Sequence, residues 1–246
     1  MELVGDRHWY QKRLMIILGL QWTISAFIIM MQPFLNQEPL FLCLKPDGTT
    51  YDCDEKAATS QNRCNSEYLS PNSAPSLVRD LGLYCENETW KSLGGSFFFI
   101  GGAVGSILFL YLADRVGRLK ILFWSYVLGT IFILILGISD SWGVYYISIA
   151  LTWAGFDPYF ALGTVLVNEE GGIYRFGSQN NLLLLSGAFI RQVTTVLLFA
   201  CWSIGELLFI LIAYFFREWR TQVIYFTGIP LLVLTPLFYW IYESPR

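Results

Sequence analysis

The chain has 246 residues, of which 54% are hydrophobic, 17% aromatic and only 14% charged, and its mean hydropathy is +0.48. That apolar excess is more than the interior of one soluble domain absorbs, so lipid is the expected solvent. A formal net charge of -3 offers no basic field to phosphates and excludes a nucleic-acid partner.

In chain order, the polar segment 1–13 leads into a first apolar span from Leu14 to Leu35, too long for the core of a cleavable leader. Residues 36–90 form the one large aqueous loop, with nine Asp or Glu against four Lys or Arg, and carry Cys43, Cys53, Cys64 and Cys85. Four cysteines in a polar segment too poor in apolar residues to build a core predict two disulfides, with three alternative pairings. Asn87-Glu88-Thr89 is a glycosylation sequon close to the start of the next span.

Residues 91–246 are expected to add five more spans of one helical bundle: Lys91 to Ala113, Leu119 to Ile138, Trp142 to Val167, Ile190 to Phe215 and Thr221 to Tyr242. A connecting segment, 168–189, separates spans four and five. A helix from Leu182 to Phe215 would be about 51 Å long against a hydrocarbon core of about 30 Å. A break at Ser186-Gly187 is therefore expected, leaving a short helix over Leu182 to Leu185 flat in the interface. The fold class is an all-α membrane protein of six transmembrane helices with a cysteine-containing loop between helices one and two.

Basic residues set the orientation. Arg7, Lys12 and Arg13 precede span one, Arg115, Arg118 and Lys120 lie between spans two and three, and Arg175 and Arg191 lie between spans four and five, all on one side. That side is cytoplasmic, or the matrix side in a mitochondrial membrane. Arg217 and Arg220 in REWR fall on the opposite side and oppose the rule.

Two acids stand inside spans, where each costs about 2.5 to 3.5 kcal/mol on insertion scales. Asp157 precedes Pro158, and Glu206 sits in the middle of span five. They are the candidate ion or substrate site; the competing reading is hydrogen-bonded packing residues. Glycines at 94, 95, 101, 102 and 105 recur through span two, and Gly101-x-x-x-Gly105 predicts close helix packing. His8 has no acid, cysteine or second histidine at ligand spacing, so neither a metal nor a cofactor is expected. No nucleophile and base pair is visible either, so the chain is not expected to be an enzyme.

The turn YLADRVGRLK, residues 111–120, resembles the signature turn of the major facilitator superfamily. Residues 85–125, the helix-five stretch IGELLFILIAYFFREWR and the closing YESPR at 242–246 are similar, more narrowly, to its organic cation and anion transporters. The resemblance implies the N-terminal six-helix half of a transporter for a small organic ion, at the plasma membrane, working with a second six-helix half. It also implies a gating charge network of Asp114, Arg115, Gly117, Arg118, Glu169, Glu243 and Arg246 at the cytoplasmic ends of the helices.

The sequence departs from that pattern at Leu110, where the turn would begin with glycine, at Leu151, where helix four would carry arginine, and at Phe156 to Phe160, where small residues are usual. These departures motivate an alternative: a non-transporting, transporter-derived subunit of a larger membrane complex, for example in the mitochondrial inner membrane. Whether the sequence is part of a longer product, pairs with another half, or is such a subunit stays open at this stage.

Overall fold

The computed structural model describes residues 3–44, 47, 49–53, 69–73, 75–84, 87–172 and 181–240. Six helical stretches are long and apolar enough to cross a membrane: Arg13–Leu35, Thr89–Val116, Arg118–Gly137, Trp142–Val167, Gln192–Phe215 and Trp219–Phe238. They belong to α1 (Leu3–Leu35), α3 (Glu88–Val116), α4 (Arg118–Gly137), α5 (Trp142–Gly172), α6 (Asn181–Phe215) and a composite sixth span. That last span runs through α7 (Trp219–Thr221), a π-helical segment (Gln222–Gly228), α8 (Ile229–Leu234) and a 3-10 segment (Thr235–Trp240).

One expectation fails at α6. The helix is continuous from Asn181 to Phe215, and no break occurs at Ser186-Gly187. A single glycine in a helix costs only about 1 kcal/mol, and without proline nothing removes the i to i−4 bonds. The helix is about 52 Å long at 1.5 Å per residue, so its first turns extend past the apolar stretch that begins at Gln192.

Helix pairing is symmetric. α1 packs against α6, and α3 against α5, while α4 packs on α5 as α1 does on the π segment of the sixth span. Exchanging spans one to three for four to six maps each of these pairs onto the other, the pattern of an inverted repeat. Small residues set the crossing distances. A Cβ placed on Gly101 would lie 2.0 Å from the Ala150 carbonyl oxygen, and one on Gly105 would lie 2.2 Å from that of Ala154. Pro158, four residues on, has no N–H to give the Ala154 oxygen. The α3 backbone at Gly105 closes over that carbonyl.

The aqueous loop does not stand alone. β1 (Phe41–Leu44) and β2 (Thr50–Cys53) form an antiparallel hairpin with Phe41 opposite Cys53 and Cys43 opposite Tyr51, and Cys43 is buried and disulfide-bonded. The short helix α2 (Leu77–Asp80) is capped by Ser76 Oγ, which accepts from Arg79 N. Leu77, Val78 and Leu83 are fully buried in the same core cluster as the membrane helices. The loop therefore borrows the bundle's core in place of building one, which a count of its own apolar residues could not reveal. Asn87 is half-buried and its amide donates to Gly82 O at 3.2 Å.

Asp52 ties the hairpin to the rest of the loop, accepting from Ser70 Oγ at 2.6 Å and from Asn72 Nδ2 at 3.0 Å. These bonds, that from Ser70 foremost, hold its carboxyl below the ordinary value of 3.8. Because the folded value lies below the unfolded one, the stabilisation is complete above about pH 4 and is lost as pH falls through the folded value. The protection factor of Ser70 N against hydrogen exchange, a group bonded to Leu40 O at 2.9 Å, is expected to fall at acid pH. Asp52→Asn should flatten that dependence.

Candidate functional site

Two acidic side chains among the described residues stand well inside the membrane spans, one at each helix pair. On α6, Trp202 Nε1 donates to Glu206 Oε1 at 2.8 Å, one turn along the helix. The Trp202 ring stands edge-on to Phe160 of α5 with centroids 4.7 Å apart, and 6.3 Å from Trp22 of α1. Trp22 itself meets Phe160 at 5.1 Å and Phe199 at 5.6 Å, both edge-on. Glu206 therefore sits on the edge of α6 that turns toward α5 and α1, half-buried beside a cluster of four aromatic rings. The buried Trp22 Nε1 has no hydrogen-bond partner among the described residues.

Asp157 lies in the other interface. Its Oδ2 accepts from Ser106 Oγ of α3, so the acid is tied across the α3 to α5 packing. A third polar set fixes the core: Tyr159 Oη donates to Gln21 Oε1 at 2.9 Å, and Tyr126 Oη to the Leu231 carbonyl at 2.8 Å. Thr235 N turns to Leu232 O in 3-10 fashion, leaving Leu231 O to accept from the tyrosine and, at 3.2 Å, from the Thr235 hydroxyl.

Chemically, the Glu206 cluster can receive a cation. One carboxylate oxygen takes the indole N–H, which orients the group, and the second oxygen has acceptor capacity to spare. Aromatic faces attract an organic cation by about 0.5 to 2 kcal/mol, more when water is excluded. Asp157 is already engaged by a hydroxyl from a neighbouring helix. That geometry suits a packing role better than an open site.

At the α3 to α4 turn, Gly117 has φ 121°, a conformation that lets the chain reverse between two helices and that L side chains rarely adopt. Arg118 Nη2 lies 3.8 Å from Asp114 Oδ1, with the acid three-quarters exposed. The Arg115 guanidinium stands 4.4 Å over the Tyr111 ring. Of the remaining members of the expected network, Glu169 belongs to α5 with its side chain outside the described residues, and Glu243 and Arg246 lie outside them altogether, as do Cys64 and Cys85.

A further charge cluster, not anticipated, closes the opposite end. Arg220 Nη2 contacts Asp140 Oδ1 at 2.6 Å, and its Nε lies 3.7 Å from Asp80 Oδ2 of the loop. The buried Trp219 donates to that same Asp80 oxygen at 2.8 Å, and Trp142 Nε1 donates to Leu81 O at 2.7 Å. The arginine that opposed the positive-inside count is thus held by two acids. Arg220→Gln is expected to cost no more than about 1 kcal/mol, since the pairs are partly solvated, but to expose the loop around Asp80 to limited proteolysis.

Such a bundle of six spans, with repeat-like pairing and an acid in an aromatic cluster, has the architecture of one half of a secondary transporter. The family of sugar (and other) transporters matches residues 49–156. Solute carrier family 22 member 4 of Mus musculus is 30% identical over 171 residues, covering 69% of this chain and 28% of the relative. The organic cation transporter-like protein of Drosophila melanogaster is 27% identical over 277 residues, covering 99% and 46% respectively. The organic cation transporter protein of the same organism is 27% identical over 278 residues, covering 99% and 47%.

The chain belongs to the major facilitator superfamily and resembles its organic cation and anion transporters. It is an integral, multi-pass membrane protein, and it spans less than half the length of these relatives.

Proposed function

We propose that the chain contributes the N-terminal half of a secondary transporter for small organic ions, cations in particular, at the plasma membrane, with the α3 to α4 turn on the cytoplasmic side. The observation that carries this reading is the Glu206 carboxylate, fixed by Trp202 and flanked by Trp22, Phe160 and Phe199 inside the membrane spans. A carboxylate is retained at such depth only when something offsets its desolvation, and a cation against aromatic faces does so. The unpartnered Trp22 N–H supplies a donor for a polar substituent on the same ligand.

Two faces suit a second six-helix half. Phe99, Ile107 and Tyr111 of α3, and Leu207, Leu211 and Tyr214 of α6, are exposed, and these helices belong to the two symmetry-related pairs. The charge network of Asp114, Arg118, Glu169 and Glu243 serves as a cytoplasmic latch between helix ends, and the four loop cysteines form two disulfides. The names of the relatives favour transport over the structural-subunit reading.

Uptake of tetraethylammonium, with benzoate in parallel, into cells expressing the chain together with a second six-helix half tests the reading. Saturable accumulation of the cation supports it. Uptake of neither ion above that of untransfected cells overturns it.

A further inference from the structure

An apolar groove lies between the first turns of α4 and the end of the sixth span and shares no lining residue with the Glu206 cluster. Its volume is about 740 Å³, and it is lined by Leu119, Phe123 and Trp124 on one wall and Leu232, Pro236 and Phe238 on the other, with Thr235 and Lys120 completing it. Lys120 is exposed at the level where α4 begins, and Trp124, one turn deeper, is 61% exposed. A basic residue and an indole at the end of a span mark the level of the lipid headgroups.

The local charge is positive. Within residues 114–120 themselves, Arg115, Arg118 and Lys120 stand against Asp114, and no acid among the described residues pairs with Lys120. Basic clefts between membrane helices on the cytoplasmic side suit anionic headgroups. From Leu119 to Trp124 the α4 wall rises about 8 Å at 1.5 Å per residue, enough for the upper part of an acyl chain.

We propose that this groove is a binding site for one anionic phospholipid of the leaflet at the α3 to α4 turn, with an acyl chain between α4 and the sixth span and the phosphate on Lys120. The inference rests on the transporter reading only for the identity of that leaflet. Its chemistry is independent of Glu206.

Native mass spectrometry of the purified protein in detergent, supplied with equal amounts of palmitoyl-oleoyl phosphatidylglycerol and palmitoyl-oleoyl phosphatidylcholine, tests it. The phosphatidylglycerol adduct is expected to exceed the phosphatidylcholine adduct about fivefold, the ratio that one basic contact near the surface provides. Lys120→Gln should bring the ratio to one, and Leu232→Trp, which fills the groove from an exposed position, should remove the adduct of either lipid. Equal retention in the unmodified protein, or a ratio unchanged by Lys120→Gln, would overturn the proposal. Labelling of Lys120→Cys from outside intact cells reads the leaflet separately, so an error in orientation is not confused with the absence of a site.

Discussion

Gly105→Leu is expected to abolish the folded bundle, with no monodisperse protein recovered after extraction, whereas Gly95→Ala should behave as the unmodified chain does. A Cβ at position 105 would lie 2.2 Å from the Ala154 carbonyl oxygen and 2.5 Å from its Cα, whereas one at position 95 meets nothing within 4 Å. The obstacle at 105 is backbone, so no rotamer change relieves it and α3 must move off α5. Overpacking a well-packed core costs about 1 to 3 kcal/mol even when side chains can adjust, and total stability is only about 5 to 15 kcal/mol. Separating the two helices would also break the Ser106 to Asp157 bond and leave an acid unpaired in the span. Size-exclusion profiles of the two variants check this; a monodisperse Gly105→Leu with an unchanged melting temperature would contradict it.

Glu206→Gln is expected to lower tetraethylammonium uptake about tenfold or more while leaving the yield of folded protein intact, since the attraction between a carboxylate and a quaternary ammonium about 4 Å away is worth about 1 kcal/mol in bulk water and about 4 kcal/mol at an effective dielectric of about 20. Glutamine keeps the shape and still offers an oxygen to the Trp202 N–H, so packing against α5 and α1 is preserved. Only the charge is removed. Asp157→Asn serves as the comparison: its acid bonds Ser106 across a helix pair, and its loss should lower thermal stability more than it lowers uptake. Equal losses of uptake in the two variants would place Glu206 among the packing residues.

The number of the spans was legible because long apolar runs between charged turns leave few alternatives. Their pairing was partly legible as well: Gly101 and Gly105 on one face of span two mark a close crossing, but nothing in the spacing says that Ala150 and Ala154 receive it. The continuous α6 was misread because its length was weighed against bilayer thickness, although a helix can project beyond the membrane. The clamp of Asp80, Asp140 and Arg220 was hidden because its members come from three separate connections, and only folding brings them together. Its one sequence signal was the failure of Arg220 to obey the charge rule.

The candidate site follows the same logic. Glu206 was visible as an acid in an apolar run, and the i, i+4 spacing from Trp202 could have suggested their bond. Trp22 and Phe160 could not be assigned to it, because their convergence depends on how α1, α5 and α6 cross. The bulky residues from Phe156 to Phe160, which replace the small residues usual in the resemblance, build this aromatic cluster: Phe156 and Tyr159 are fully buried and Phe160 meets both Trp22 and Trp202.

The central claim is that the Glu206 carboxylate and its rings receive an organic cation. Isothermal titration of tetraethylammonium into the purified protein at neutral pH, with Glu206→Gln and Trp202→Phe in parallel, tests it most directly. The account predicts saturable binding to the unmodified protein, loss of that binding in Glu206→Gln, and weaker binding in Trp202→Phe, where the carboxylate loses its orienting N–H. Binding of equal affinity in the unmodified protein and in Glu206→Gln would contradict it.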